Sequence, residues 1–173
     1  MLPKLSLVLG GAASGKSVFA EGLVLATDLR PVYGATAQVF DDEMAQKVTR
    51  HQAQRGGGWT TIEAPIDVVQ PLDNARKGDA ILIDCATLWL TNLILGDLDV
   101  VQHTAALLAA LNTCAAPVVI VSNEVGQGIV PDNALSRKFR NAQGRLNQDI
   151  AGKADRVVAV MAGLPLVLKG SPA

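Results

Sequence analysis

Short apolar runs alternate along the chain with longer segments of helical periodicity. The apolar runs predict strands at residues 4–9, 31–36, 59–63, 80–84, 118–122, 156–161 and 164–168. The segments between them predict helices at residues 17–26, 41–55, 67–77, 88–95, 101–113 and 132–151. Such regular alternation of strand and helix is typical of an α/β fold.

The predicted strands are rich in Val, Ile and Leu and lack polar alternation, which indicates that both of their faces are buried. Strands of this kind form a mostly parallel sheet with helices on both faces. The last long helix carries its predicted core stripe on Leu135, Phe139, Ala142, Leu146 and Ile150. The sequence contains no repeat or linker, so residues 1–173 are predicted to form a single α/β domain.

Composition narrows the class of protein. A net charge of −1, with 18% charged residues, gives no reason to expect binding to nucleic acid or to a membrane surface. The apolar runs are shorter than the roughly 18 residues of a membrane-spanning helix, and the N-terminus lacks the pattern of a signal peptide. Cys85 and Cys114 are predicted to be small core residues rather than a disulfide or reactive thiols. We therefore expect a cytoplasmic protein.

The strongest chemical signal follows the first predicted strand. The octapeptide Gly10-Gly11-Ala12-Ala13-Ser14-Gly15-Lys16-Ser17 fits the phosphate-loop (P-loop) pattern G-x-x-x-x-G-K-[ST]. Its glycines let the loop curl, so that backbone N–H groups and the N-terminus of the next helix bind phosphates. Lys16 is expected to reach the outer phosphates, and the Ser17 hydroxyl to ligate Mg²⁺. The sequence thus predicts a P-loop NTPase-type domain.

A P-loop also requires a carboxylate at the end of a neighbouring strand to hold the water shell of Mg²⁺. Asp84 ends a buried apolar run and is the candidate, although an Asp at this position could instead cap the next helix. Asn123 and Glu124 follow the next buried run and are expected at the same edge. Ligands bind at this carboxyl edge in open α/β sheets.

The fold alone does not define the reaction. The Asn-Lys-x-Asp and Asp-x-x-Gly elements of switch-type GTPases are absent from the sequence. The basic segment at residues 137–145 is either a phosphate-binding lid or a solvated helix face. His51 shares a predicted helix face with Met44 and Val48, and this spacing alone favours a core histidine.

Further segments carry a resemblance that spans nearly the whole chain. In order, they are Ala35-Thr36-Ala37, Asp42-Glu43-Met44 with His51, Trp59 with Thr61 and Glu63, Asp84-Cys85 with Thr87-Leu88-Trp89-Leu90, Ser122-Asn123-Glu124-Val125-Gly126, Gly128-Ile129-Val130-Pro131, Arg137 with Phe139-Arg140, Gly144-Arg145 with Asn147-Gln148, and Ala154-Asp155. Together with the P-loop they resemble the bifunctional adenosylcobinamide kinase/adenosylcobinamide-phosphate guanylyltransferase family of cobalamin biosynthesis. The Asn-Glu-Val-Gly and Gly-Arg-x-Asn-Gln segments with His51 are more specific than the P-loop.

The resemblance implies two reactions. A nucleoside triphosphate, ATP or GTP, first phosphorylates the aminopropanol hydroxyl of adenosylcobinamide. GTP then transfers GMP to that phosphate through a guanylylated histidine, which gives adenosylcobinamide-GDP and pyrophosphate. The resemblance assigns this histidine to His51, in contrast to the core role that spacing alone favours.

The resemblance also implies which residues contact the nucleotide. They are Gly10, Gly11, Ala12, Ala13, Ser14, Gly15, Lys16, Ser17, Ala35, Thr36, Ala37, Gln52, Ala53, Gln54, Arg55, Glu63 and Asp84. Ala13 departs from the family pattern because many members have an arginine there. The resemblance further suggests a homo-oligomer, a trimer. Because the corrin is bulky and the nucleotide pocket is modest, we expect the corrinoid to lie at a subunit boundary. Two alternatives remain open: a kinase with a structural His51, and a nucleotide-dependent regulatory module.

Overall fold

The structure, a computed structural model, describes residues 1–38 and 57–171. Within these ranges the strands are β1 (Leu5–Gly10), β2 (Arg30–Ala35), β3 (Thr60–Glu63), β4 (Asp79–Asp84), β5 (Val118–Asn123), β6 (Arg156–Met161) and β7 (Leu164–Lys169). The helices are α1 (Lys16–Leu25), α2 (Gln70–Asp73), α3 (Ala86–Leu95), α4 (Val100–Thr113) and α5 (Ala134–Lys153). None of these described helices is long and apolar enough to cross a membrane. The helix predicted at residues 41–55 lies outside the described residues.

All seven strands belong to one sheet, in the order β3-β2-β4-β5-β1-β6-β7. The first six strands of this order pair in parallel, and β7 pairs antiparallel with β6. The mostly parallel sheet predicted from the sequence is therefore confirmed. The strand that ends at Asp84 is not the direct neighbour of the P-loop strand, because β5 lies between them.

Helices cover both faces of the sheet, as predicted, and alternate residues of each strand face opposite layers. Ile120 packs in the layer that contains Trp89 of α3 and Leu146 of α5. Val121, one residue further along β5, packs in the layer that contains Val24 of α1. This alternation determines which side chains at the ends of the strands face α1, the helix that follows the P-loop.

The helix predicted at residues 67–77 is wrong in length, because only Gln70–Asp73 is helical. Asp67 Oδ1 accepts the N–H groups of Val69 and Gln70, so Asp67 stands before the helical turn rather than within it. At the other end, the Arg76 N–H donates to Asp79 Oδ2 at 2.9 Å. This side-chain acceptor replaces a helical one, so the chain turns into β4.

The core stripe predicted on α5 is wrong at its first member. Leu146 and Ile150 are buried, and Phe139 packs against the same core, but Leu135 is 54% exposed. The first turn of α5 lies beside the exposed end of α3, so Leu135 lines a surface groove with Ile94 rather than the core.

Both cysteines are buried free thiols, which confirms the prediction that they are core residues. Burial, followed by the charge of the neighbouring Asp84, raises the pKa of Cys85 to about 11. Burial also raises the pKa of Cys114. Both groups are therefore uncharged at neutral pH and are poor nucleophiles.

Candidate active site

The loop between β1 and α1 has a curled backbone. Ala13 and Gly15 adopt φ angles of 54° and 91°, in the left-handed region. The Ser14 N–H donates to the carbonyl oxygen of Gly11 at 3.4 Å, which closes the turn. Residues 11–13 are exposed, so the concave side of the loop is accessible to a ligand.

Two glycines of the loop are required by close packing. A Cβ atom on Gly10 would lie 2.7 Å from the carbonyl oxygen of Val160, and one on Gly15 would lie 3.1 Å from the Cα atom of Gly163. The Gly163 N–H also donates to the carbonyl oxygen of Ser14 at 2.9 Å. The turn between β6 and β7 therefore supports the P-loop from behind.

The N-terminus of α1 is suited to bind an anion. Among the described residues, no side chain caps the start of α1, whereas Cys85, Asp99 and Asn133 cap α3, α4 and α5. The first N–H groups of an uncapped helix are available to a phosphate. Lys16 Nζ donates to the carbonyl oxygen of Gly11 at 2.9 Å, which brings a positive charge over the first residues of the loop.

Asp84 and Asn123 are brought to the same corner of the sheet as the P-loop. Leu82 and Val121 pack in the layer of α1, and Asp84 and Asn123 follow them by two residues on the same strand faces. Asn123 is also the register partner of Gly10, the first residue of the P-loop. The sheet thus places a carboxylate, an amide and a phosphate-binding loop at its carboxyl edge.

The other predicted nucleotide contacts lie further along this edge. Ala35 pairs in register with Asp84 on one side and with Glu63 on the other. Glu63 is exposed at the end of β3, and Ala37 is partly buried just beyond β2. These residues line up next to Asp84, on the side away from the P-loop.

Thr36 differs from its neighbours because it is completely buried. Its hydroxyl donates to the carbonyl oxygen of Cys85 at 2.8 Å and accepts the Cys85 N–H at 2.6 Å. Asn92 Nδ2 donates to the Thr36 carbonyl oxygen at 2.8 Å. Thr36 therefore joins the ends of β2 and β4 and supports the site from within.

Five predicted site residues lie outside the described residues. They are His51, Gln52, Ala53, Gln54 and Arg55. The assignment of His51 as the guanylylated residue stays a prediction, as do the nucleotide contacts assigned to the other four.

The basic segment of α5 has a definite structural role. Arg137 Nη1 donates to the carbonyl oxygens of Pro131 and Asp132 at 2.9 and 2.6 Å. Arg140 Nη2 donates to the carbonyl oxygen of Gly128 at 3.1 Å and also to that of Gly126. These two arginines hold the loop between β5 and α5, which begins directly after Asn123.

Sequence reasoning missed a buried polar cluster behind the site, formed by Thr87, Ser122, Gln143 and Asn147. Gln143 is 0% exposed although glutamine is usually a surface residue. A signal was available in the sequence, because Gln143 and Asn147 lie four residues apart on the same helix face as Leu146 and Ile150.

The curled loop, the uncapped α1 and the carboxyl-edge Asp84 define a P-loop nucleotide-binding protein. A solved ATPase from the type III secretion system of pathogenic bacteria has a similar fold, with a TM-score of 0.59. That comparison covers 96% of this chain and 57% of the ATPase at 9% sequence identity. It supports the P-loop NTPase fold predicted from the sequence.

Comparison of sequences identifies the family. A sequence model described as cobinamide kinase / cobinamide phosphate guanyltransferase matches residues 6–168. The bifunctional adenosylcobalamin biosynthesis protein CobP of Pseudomonas aeruginosa is 44% identical over 171 residues, which cover 96% of this chain and 98% of the relative. The corresponding protein CobU of Salmonella typhimurium is 41% identical over 94% of this chain and 98% of its own length.

The chain therefore belongs to the cobinamide kinase / cobinamide phosphate guanyltransferase family, and the resemblance found in the sequence is confirmed. This family consists of bifunctional enzymes of cobalamin biosynthesis. That finding argues against both alternatives left open by the sequence, a kinase without the second activity and a regulatory module.

Proposed function

We propose that the chain phosphorylates adenosylcobinamide with ATP or GTP and then transfers GMP from GTP to the product through a guanylylated His51. One phosphate cradle, Gly10 to Ser17, serves both steps, and residues 1–173 act as a single domain. The observation that carries this proposal is that the P-loop pattern occurs once in the sequence and precedes an uncapped helix. Both reactions need a bound triphosphate, so both depend on this loop.

The two steps use the cradle differently. In the kinase step, the substrate hydroxyl oxygen forms a bond to the γ-phosphorus as the bond from that phosphorus to its bridging oxygen breaks. The nucleoside diphosphate leaves, and the hydroxyl proton passes to a phosphate oxygen. In the transferase step, a neutral His51 imidazole attacks the α-phosphorus, a P–N bond forms, and pyrophosphate leaves. The resulting phosphoramidate then passes GMP to a phosphate oxygen of adenosylcobinamide phosphate. In both steps Lys16 stabilises negative charge on the outer phosphates.

We assign Mg²⁺ to Ser17 and Asp84. Ser17 lies in the first turn of α1, and Asp84 lies at the carboxyl edge on the strand face that looks toward α1. The described ranges contain no group of three His, Cys, Asp or Glu residues that could hold a metal by itself. A P-loop site needs no such group, since phosphate oxygens and waters complete the shell of Mg²⁺. The ion supplies charge neutralisation to the phosphates when bound.

The remaining nucleotide contacts come from three segments of the chain. Ala35, Ala37 and Glu63 stand along the edge beyond Asp84, where the nucleoside would extend from the phosphates. Gln52, Ala53, Gln54 and Arg55 directly follow His51 in sequence. Their closeness to the nucleophile along the chain supports a role in holding the GTP that is attacked.

We further propose that the protein is a trimer with the corrinoid at a subunit boundary. We also propose that it acts in the cytoplasm, where ATP and GTP are supplied. The edge strand β7 supports an oligomer, because its residues Leu164, Leu166 and Leu168 are 71%, 57% and 57% exposed. Apolar edge strands of soluble proteins are usually covered. Analytical ultracentrifugation tests this state directly, and a monomer at assay concentration would contradict it.

GTP labelled at the α-phosphate tests the covalent step. We expect the wild-type protein to acquire a label that is labile in acid and stable in base, as a phosphoramidate is. The His51→Asn variant should acquire no label and lose guanylyl transfer by orders of magnitude, yet keep much of its kinase activity. A circular dichroism melt verifies that this variant is folded. Label retained by His51→Asn would assign the intermediate to another residue.

A further inference from the structure

On the side that faces β4, the main chain at the end of β5 is held by side chains rather than by the neighbouring strand. Pairing between β4 and β5 ends at Val121, whereas pairing between β1 and β5 continues to Asn123. On the β4 side, the Asn123 N–H donates to Thr87 Oγ1 at 2.8 Å. Asn147 Nδ2 donates to the Asn123 carbonyl oxygen at 3.0 Å. Helices α3 and α5 therefore both fix the peptide groups of Asn123.

A buried hydrogen-bond network orients the Asn147 side chain. Ser122 Oγ donates to Asn147 Oδ1 at 2.6 Å, and Gln143 Nε2 donates to both Ser122 Oγ and Asn147 Oδ1 at 2.9 Å. Ser122 and Gln143 are completely buried. Burying amides and hydroxyls costs free energy that apolar side chains on the same helix face would not require. The network is therefore better explained by the placement of Asn123 than by stability.

The Asn123 side chain has hydrogen-bonding capacity that the described residues do not use. Its Oδ1 atom is buried and has no hydrogen-bond partner among them. By alternation along β5, this side chain faces the same layer as α1. Buried amide oxygens in folded proteins are normally paired, so this oxygen is a candidate to meet a bound molecule.

The position of Lys16 indicates which part of the nucleotide would lie beside Asn123. Lysine of a P-loop binds the β- and γ-phosphates, and Lys16 Nζ donates to the carbonyl oxygen of Gly11. Gly11 follows Gly10, the register partner of Asn123. The terminal phosphate is therefore expected at the end of the loop where the Asn123 side chain stands.

We propose that Asn123 contacts the terminal phosphate and the attacking hydroxyl in the kinase step. Its Nδ2 donates to a γ-phosphate oxygen, and its Oδ1 accepts a hydrogen bond from the substrate hydroxyl. Thr87, Asn147, Gln143 and Ser122 form a buried clamp of positioning residues that hold Asn123 there. The amide neither gains nor loses a proton: the γ-phosphoryl group moves to the substrate oxygen, the nucleoside diphosphate leaves, and the hydroxyl proton passes to a phosphate oxygen. This inference rests on the nucleotide cradle proposed above.

The Asn123→Ala variant tests the contact. Removal of one transition-state donor typically costs about 10²-fold in kcat, and we expect a loss of that order for phosphorylation of adenosylcobinamide. Guanylyl transfer, assayed with adenosylcobinamide phosphate already supplied, should fall by less than about tenfold because its reaction is at the α-phosphorus. Affinity for GDP, which lacks the γ-phosphate, should not change. Equal losses in both reactions, or no loss in either, would overturn the proposal.

The clamp is tested by a hydroxyl deletion and its rescue. We expect Thr87→Val to lower kcat for the kinase step by about tenfold with little change in KM for the nucleotide. Thr87→Ser, which keeps the acceptor, should restore the rate. On an Asn123→Ala background, Thr87→Val should cause no further loss, since residues that act through one another are not additive. If the double variant instead shows the product of the two single losses in kcat, Thr87 does not act through Asn123.

Two controls keep the test interpretable. Thr113→Val deletes an exposed hydroxyl at the far end of α4, which bonds main-chain carbonyls of its own helix, and should leave both reactions unchanged. If Thr87→Val yields too little folded protein in a melt, Gln143→Met is compared in the same cycle, because Gln143 reaches Asn123 through Asn147. The Lys16→Ala variant distinguishes failure of the clamp from failure of the cradle. If Lys16→Ala loses all nucleotide binding while Asn123→Ala keeps a normal kinase kcat, the cradle is supported and the clamp is contradicted.

Discussion

Gly15 lies at the closest approach between the P-loop and the turn that follows β6. Its φ angle of 91° is one that residues with a side chain rarely adopt. A Cβ atom there would also lie 3.1 Å from the Cα atom of Gly163, closer than ordinary van der Waals contact. The turn between β6 and β7 cannot move away from the P-loop without losing the hydrogen bond from the Gly163 N–H to the Ser14 carbonyl oxygen. A side chain at Gly15 must therefore distort the loop itself.

We predict that Gly15→Ala weakens GTP binding by at least about tenfold and destabilises the fold by about 1–2 kcal/mol, the cost of left-handed backbone. Calorimetric titration and thermal melts measure the two effects. Gly22→Ala is the matched control, because no described atom outside its own helix backbone and chain neighbours lies within 4 Å of its added Cβ. That change in the middle of α1 should stabilise the protein slightly. Gly15→Ala with normal GTP affinity would contradict this account of the loop.

Asp84 provides a second prediction at the residue scale. Asp84→Asn preserves shape and removes the charge that we assign to the Mg²⁺ site, so turnover should need a higher Mg²⁺ concentration. Nucleotide binding measured without metal should change much less. A Mg²⁺ titration of the initial rate measures the shift. An activation curve that overlays the wild-type curve would show that Asp84 has a structural role.

At the scale of secondary-structure elements, an ion pair joins the beginnings of β2 and β4. Arg30 Nε lies 2.8 Å from Asp79 Oδ1, and Asp79 is buried while Arg30 is largely exposed. The hydrogen bond from Arg30 lowers the pKa of Asp79, against the opposing effect of burial. Asp79 Oδ2 also accepts the Arg76 N–H. The same carboxylate therefore binds both the turn after α2 and the beginning of β2.

This lowered pKa predicts a pH-dependent contribution to stability. A carboxyl whose pKa is lower when folded stabilises the protein above its unfolded pKa of about 3.9, and the contribution disappears as pH falls through the folded pKa. Asp79→Asn should therefore melt a few degrees below wild type at pH 7, and the difference should shrink below about pH 4. Asp28→Asn, at an exposed site in the turn before β2, is the control. A difference that stays constant down to acidic pH would contradict the ion-pair explanation.

The elements also show how far a sequence pattern determines a fold. The strands are apolar runs, so their positions follow from burial and were predictable within a residue or two. The length of α2 was not predictable, because it depends on a hydrogen bond from Arg76 to Asp79 rather than on periodicity. Likewise, the pattern placed Leu135 in the core, whereas Gln143 takes a fully buried position on the same helix. Periodicity identifies a helix face, but the neighbours of that face determine which members are buried.

At the scale of the whole molecule, strand order assembles the site. Because β5 lies between β1 and β4, Asn123 stands between the P-loop and the strand that ends at Asp84. The sequence predicted that these residues share one edge, but not their order along it. The Asn-Glu-Val-Gly and Gly-Arg-x-Asn-Gln segments, which are distant in sequence, also meet in the fold. Asn147 of α5 donates to the carbonyl oxygen of Asn123 in β5.

The central claim is that one phosphate cradle serves both reactions, and the Lys16→Ala variant tests it most directly. Both the phosphorylation of adenosylcobinamide and the transfer of GMP to adenosylcobinamide phosphate are assayed on the same folded preparation. Lys153→Ala serves as the control, since Lys153 also follows a glycine but lies exposed in the last turn of α5. We predict that Lys16→Ala loses both activities and Lys153→Ala keeps both. Retention of either activity near the wild-type rate in Lys16→Ala would contradict the claim, because it would require a second nucleotide site.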